Sequence, residues 1–129
     1  MHQARNHARH EIEGFANLMP ESGAQQAIRG ILANLSFGGF CVRANHRLEP
    51  GSVVAFDVLT EVCGEHLTGK GKVKYSNELK RHDSSFVIGI EFLEVNKPLV
   101  INCMDLHKAQ LLRRKQEYAK PKQKYEGPF

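Results

Sequence analysis

The sequence predicts an all-β domain, a small six-stranded antiparallel β-barrel with a C-terminal α-helix. Several segments alternate apolar with polar or charged residues at period two, and turn-forming residues separate them about every ten positions. After Pro98 the apolar residues recur at helical spacing instead. Short strands in series followed by one helix suit a barrel with a helical cap. The chain has 129 residues, 41% of them hydrophobic and 25% charged, which is one soluble domain with enough apolar mass for a core.

Taken in order, Met1 to His10 is polar and basic without periodicity, which predicts a flexible arm over residues 1–10. Glu11 to Met19 is the first strand and stops at Met19-Pro20, with a turn over Pro20 to Gly23. Ala27 to Leu32 is the second and runs into Asn34-Leu35-Ser36-Phe37-Gly38-Gly39; Phe40 to Arg43 is the third. That hexapeptide therefore sits at a strand-to-strand connection. Pro50-Gly51 marks a turn, after which Val54, Phe56 and Val58 alternate with Ala55 and Asp57 in a strand from 53 to 62.

Leu67, Gly69, Gly71, Val73 and Tyr75 then alternate with His66, Thr68, Lys70, Lys72 and Lys74, one face small or apolar and the other wet. Glycines 69 and 71 suit the curvature a barrel requires. Phe86, Ile88, Ile90 and Phe92 form the last strand, across a hairpin loop over 76–85. Val100, Met104, His107 and Leu111 predict a helix from about 98 to 118, with Pro98 in its first turn. The organisation is thus an arm at 1–10, a barrel with its helix at 11–118 and a basic tail at 119–129. No internal repeat or second domain is visible.

Net charge is +4, but it is not spread evenly. Residues 1–106 hold eleven Lys and Arg against twelve Asp and Glu, whereas residues 107–126 hold seven against two. A protein that tracks a nucleic-acid backbone needs positive charge over its binding face. The near-neutral body favours a small anionic ligand, and no nucleic acid is expected. The cationic end is a solvated helix terminus and tail. No apolar run reaches the roughly 18 residues needed to span a bilayer, and the N-terminus lacks a signal-peptide stretch, so the expectation is a cytoplasmic protein.

Cys41, Cys63 and Cys103 are odd in number and far apart, without a CxxC pair, and are assigned as small buried hydrophobes. The seven histidines gather no completing ligands, so no metal or cofactor is expected. Gly64 to Gly71 is one residue short of a phosphate-binding loop and has glycine where Ser or Thr must hold magnesium; it also alternates as a strand. Ser36 lacks the GxSxG elbow and has no identifiable His and Asp partners. No catalytic residue is expected, and the protein is taken as a non-enzyme.

The hexapeptide fits [D/N]xSxxG, and Arg5 and Arg9 upstream fit RxxxR. Arg43 and Arg47 match RxxxR too, but they follow the hexapeptide rather than precede it. The pair of motifs in this order resembles the signature of the PilZ domain, a bacterial receptor module for cyclic di-GMP. Gly51 to Val58, Gly71 to Tyr75 and Ile88 to Phe92 also look like the later strands of that family, so the resemblance covers nearly the whole chain. It implies a PilZ-type barrel with Arg5, Arg9, Asn34, Ser36 and Gly39 as ligand-binding residues. Guanidinium groups suit both phosphodiesters and guanines, by paired hydrogen bonds and by stacking. Asn34 and Ser36 are short polar groups able to reach a base edge, and Gly39 lets a ligand approach the backbone.

Many family members carry further arginines beside the first motif arginine, whereas Ala4 precedes Arg5 here, which leaves one bound ligand molecule or two open. Tyr75 is assigned first as a barrel-closing core residue and second as a border of the ligand. Phe37 and Phe40 are assigned to packing. A downstream protein partner is implied, and its process is not. Two alternatives stand beside the receptor: a module of the same fold that docks on a partner without nucleotide, and an oligonucleotide-binding barrel.

Overall fold

The structure, a computed structural model, describes residues 9–10, 12–21, 26–79 and 85–125, with side chains over 12–21, 26–79 and 85–115. Its elements are β1 (Arg9–His10), β2 (Gly14–Pro20), β3 (Ile28–Ser36), β4 (Gly39–Ala44), β5 (Val53–Thr60), β6 (His66–Glu78), β7 (Phe86–Val95) and α1 (Lys97–Tyr125). The strands are hydrogen-bonded in the order β1-β3-β2-β5-β6-β7-β4, all antiparallel, and β4 pairs back onto β3. That last pairing closes the six strands β2 to β7 into a barrel, as the alternating pattern predicts. Closure leaves β2 to β7 no free edge along the seam.

Period two decides what fills the interior. Along β5 the inward Val54, Phe56 and Val58 are buried, as are Ala16 and Leu18 of β2 and Ile28 and Leu32 of β3. Phe40, Phe56 and Phe92 meet in the core with ring centroids 5.0, 5.8 and 5.5 Å apart, spacings that favour tilted and edge-on packing. Phe56 stands directly opposite Gly69, whose missing side chain leaves room for the ring. Pro50-Gly51 makes the expected turn: Ser52 N–H donates to the Glu49 carbonyl at 3.1 Å, and Gly51 has φ of +93°, which suits glycine after proline.

Helix α1 starts where side-chain chemistry sets it. The Asn96 side-chain oxygen accepts from Leu99 N–H at 3.3 Å, an N-cap, and Pro98 sits in the first turn where its missing N–H costs nothing. Val100 and Cys103 are fully buried and join the core cluster, against which Val62 and Cys63 of the β5–β6 connection also pack. The first turns of α1 therefore plug one end of the barrel. The helix is assigned through Tyr125, past the end at 118 that the spacing suggested.

Burial first, and the neighbouring Cys63 thiol after it, push the Cys103 thiol up from 9.0 to about 12 against the opposing effect of the Thr60 hydroxyl. The fold thus holds Cys103 neutral while the unfolded chain ionises it, so this contribution is intact below pH 9 and is lost as pH rises from 9 toward 12. Urea melts across that interval should show the wild type losing stability more steeply than Cys103→Ala; parallel curves would refute a buried neutral thiol.

Candidate ligand-binding site

Ile28, Gly30 and Leu32 point into the barrel, and unbroken alternation would send Asn34 and Ser36 in after them. The β3–β4 register instead shifts between Leu32 and Asn34, making Ala33 an extra residue, and Leu35 takes the next inward place. A β-bulge re-aims the side chains that follow it. Asn34 and Ser36 are turned to the outer face of the sheet, Asn34 half-buried and Ser36 buried. A second shift, between Val73 and Tyr75 on β6, does the same for Tyr75.

The two bulges bring four strands into one transverse row on the outer face. Asn34 lies opposite Cys41, Cys41 opposite Gly89, and Gly89 opposite Tyr75. A methyl group on Gly89 would overlap the Tyr75 ring, so the glycine is what lets the ring cross β7. The Tyr75 hydroxyl ends 3.5 Å from Cys41 Sγ. Tyr75 is therefore a surface residue of this row and not a barrel-closing core residue.

The turn of the hexapeptide is fastened from three sides. Ser36 is buried and its Oγ donates to the Gly39 carbonyl at 3.2 Å, while Phe92 N–H donates to the Gly38 carbonyl at 2.9 Å. Lys97, the first residue of α1, donates from Nζ to the Phe37 carbonyl at 2.6 Å. The same ammonium lies 4.2 Å from the Phe37 ring centroid and 5.0 Å from that of Phe92. Gly39 is constrained as well: an added Cβ would overlap the Ile90 carbonyl oxygen of β7, so β4 and β7 pair closely only with glycine there.

On the other edge of β3, Arg9 is the register partner of Ser36 and His10 of Leu35. One member of the sequence-derived arginine pair thus has its backbone beside the motif. Arg5 lies outside the described residues.

Over the row opens a cavity of about 950 Å³. Asn34, Cys41 and Tyr75 line it from the barrel, Ile12 and Glu13 from the stretch before β2, and His107, Leu111 and Arg114 from α1. Ser36 and Gly39 do not line it. Arg43 does, from β4, although Arg47 is spent on an ion pair with Glu49 at 2.8 Å. By order in the chain, Arg43 and Arg47 together are only a misplaced RxxxR. The signal that finds Arg43 is register, because it shares the outer face of β4 with Cys41; the signal for Arg114 is helical spacing from His107 and Leu111. Among the described residues no group of three or more His, Cys, Asp or Glu is placed to hold a metal ion, and no helix is long and apolar enough to cross a membrane.

A sequence profile of the PilZ domain matches residues 3–104. The chain belongs to the PilZ family. Solved structures agree on the fold of this PilZ domain. The isolated PilZ domain of YcgR from Escherichia coli, solved with c-di-GMP, superposes with a TM-score of 0.65 at 17% identity, covering 92% of this chain and 98% of that one. Intact YcgR from Escherichia coli in complex with c-di-GMP gives 0.67 at 19%, covering 92% and 50%. MotI/DgrA, the inhibitor of motility of Bacillus subtilis, gives 0.64 at 18%, covering 87% and 54%. The chain therefore spans about half the length of these two longer structures. A search of curated protein sequences gives no significant match.

Two substitutions separate the supports of the motif. Gly39→Ala, which forces a backbone overlap, should cost roughly 2–4 kcal/mol in urea unfolding; a loss within experimental error would remove the close-approach argument. Lys97→Met keeps the helix but loses the charge-assisted bond to the turn, and should cost about 1–2 kcal/mol by the same measurement.

Proposed function

We propose that this PilZ domain is a non-enzymatic receptor for cyclic di-GMP, with Arg5, Arg9, Asn34, Ser36 and Gly39 forming the ligand-binding set. The observation that supports the reading is the pairing of Arg9 with Ser36 across β1 and β3, which puts the Arg9 backbone beside the motif. Family membership and the likeness in fold to YcgR structures solved with c-di-GMP support the choice of ligand.

The chemistry matches the ligand. Cyclic di-GMP has two phosphodiester charges and two guanines; an arginine fork bonds phosphate oxygens or guanine O6 and N7 in pairs, or stacks on the base. Asn34 offers an amide to a base edge from the outward side of the bulge. The Ser36 hydroxyl, whose hydrogen is given to the Gly39 carbonyl, offers lone pairs as acceptors. Closing the arm over the ligand changes the surface offered to a downstream protein, and the ordering lowers the apparent affinity. No catalytic step, cofactor or metal enters this reading, and the receptor works in the cytoplasm where the second messenger is found.

Isothermal titration with cyclic di-GMP tests it. Wild-type protein should bind, and Arg5→Ala and Arg9→Ala should each weaken binding by roughly 10- to 100-fold, the worth of a hydrogen bond to a charged group. Absence of binding, or binding indifferent to both substitutions, would refute the proposal. A partner protein captured equally with and without nucleotide favours the interaction-module reading, and steeply salt-dependent binding of single-stranded nucleic acid favours the oligonucleotide-binding one.

A further inference from the structure

The cavity beside Asn34 has cationic groups that neither motif includes. Arg43 reaches it from β4 and Arg114 from α1, and neither is in an ion pair among the described residues. Arg47 by contrast is paired with Glu49, Lys70 with Glu21 at 3.1 Å and Lys74 with Glu91 at 3.8 Å; what sets Arg43 and Arg114 apart from the remaining unpaired surface cations is that they line the cavity. The floor between them is formed by Asn34, Cys41 and the Tyr75 ring, which lies across Gly89 and offers an aromatic face on which a planar base can stack. One carboxylate, Glu13, also lines the cavity, on the far side of β3 from Arg43. A carboxylate repels phosphate but accepts from the N–H donors of a guanine edge, so its place favours base on the β2 side and phosphate on the β4 side.

We infer that Arg43 and Arg114 form a second guanidinium clamp on a guanine dinucleotide held in this cavity, with α1 serving as one wall of the binding site. The inference rests on the receptor reading above and extends it from the arm and hexapeptide to the helix. Two arginines carried by different elements meet the ligand only while α1 stays against the barrel, so bound ligand and docked helix stabilise each other. The cavity is large enough for a nucleotide of this class, being near the upper end of ordinary small-molecule sites.

The test is titration of the full chain with cyclic di-GMP at several salt concentrations, comparing wild type with Arg43→Ala, Arg114→Ala, Arg114→Lys and Arg113→Ala. Arg43 and Arg114 are exposed, so their variants fold. Arg43→Ala and Arg114→Ala should each weaken binding about tenfold and lower the slope of log affinity against log salt by about one. Arg114→Lys should recover part of the loss, because it keeps the charge without the fork. Arg113→Ala, one position away and outside the cavity, should bind as wild type does. Tight binding that depends on Arg5 and Arg9 but is unchanged in Arg43→Ala and Arg114→Ala overturns the clamp and leaves the receptor standing. A loss in Arg113→Ala equal to that in Arg114→Ala overturns it too, since any helix charge would then suffice. A wild type that does not bind overturns both.

Discussion

Strand β3 is hydrogen-bonded along both edges, and the rest of the molecule depends on that double pairing. One edge carries β2 over Ile28 to Leu32 and β1 at Leu35 and Ser36; the other carries β4 from Ile31 onward. A strand so held cannot slide, because a one-residue slip would exchange its inward and outward faces. The bulge at Ala33 is therefore a fixed offset and not a fluctuation. It sends Leu35 into the core and turns Asn34 and Ser36 away from it to the outer face, Asn34 half-buried and Ser36 buried in the motif turn.

The same constraint explains why rigid and adaptable parts are divided as they are. The hexapeptide turn is bound to β7 through Gly38, to β4 through Ser36 and Gly39, and to the start of α1 through Lys97. The opposite side of the cavity is made by helix residues whose support is the packing of Val100, Cys103 and His107 at the barrel end. A fixed floor faces a wall carried on a helix whose start is tied to the turn by Lys97 and whose next turns pack on the barrel end, the arrangement that lets a site be preorganised and still respond to its contents.

Much of this was legible in the sequence because strands of alternating burial leave a periodic trace. The strand from 53, which ends at Thr60 and not at 62, the turn at Pro50-Gly51, the connection at the hexapeptide and the helix around Pro98 all follow from local pattern. What was not legible depends on register. Carrying period two through Val73 assigns Tyr75 to the interior, and only the bulge before it reverses the face. A two-residue strand such as Arg9–His10 has no period to detect, since its pairing is supplied by the partner strand. Order in the chain counts against Arg43, whereas its place at the cavity with Asn34 is a matter of which strands adjoin. Sequence order identified the motifs, and cross-strand neighbourhood identifies the cavity they border.

The bond from Lys97 to the Phe37 carbonyl has a mechanical meaning. It joins the first residue of a 29-residue helix, about 43 Å long at 1.5 Å per residue, to the turn of the hexapeptide. The cavity-lining residues of that helix lie in its nearer two thirds, and the rest extends beyond them. The geometry is that of a lever with its fulcrum at the motif: a tilt of a few degrees, too small to disturb the packing of Val100, is multiplied along the shaft into a displacement of several ångströms at the far end.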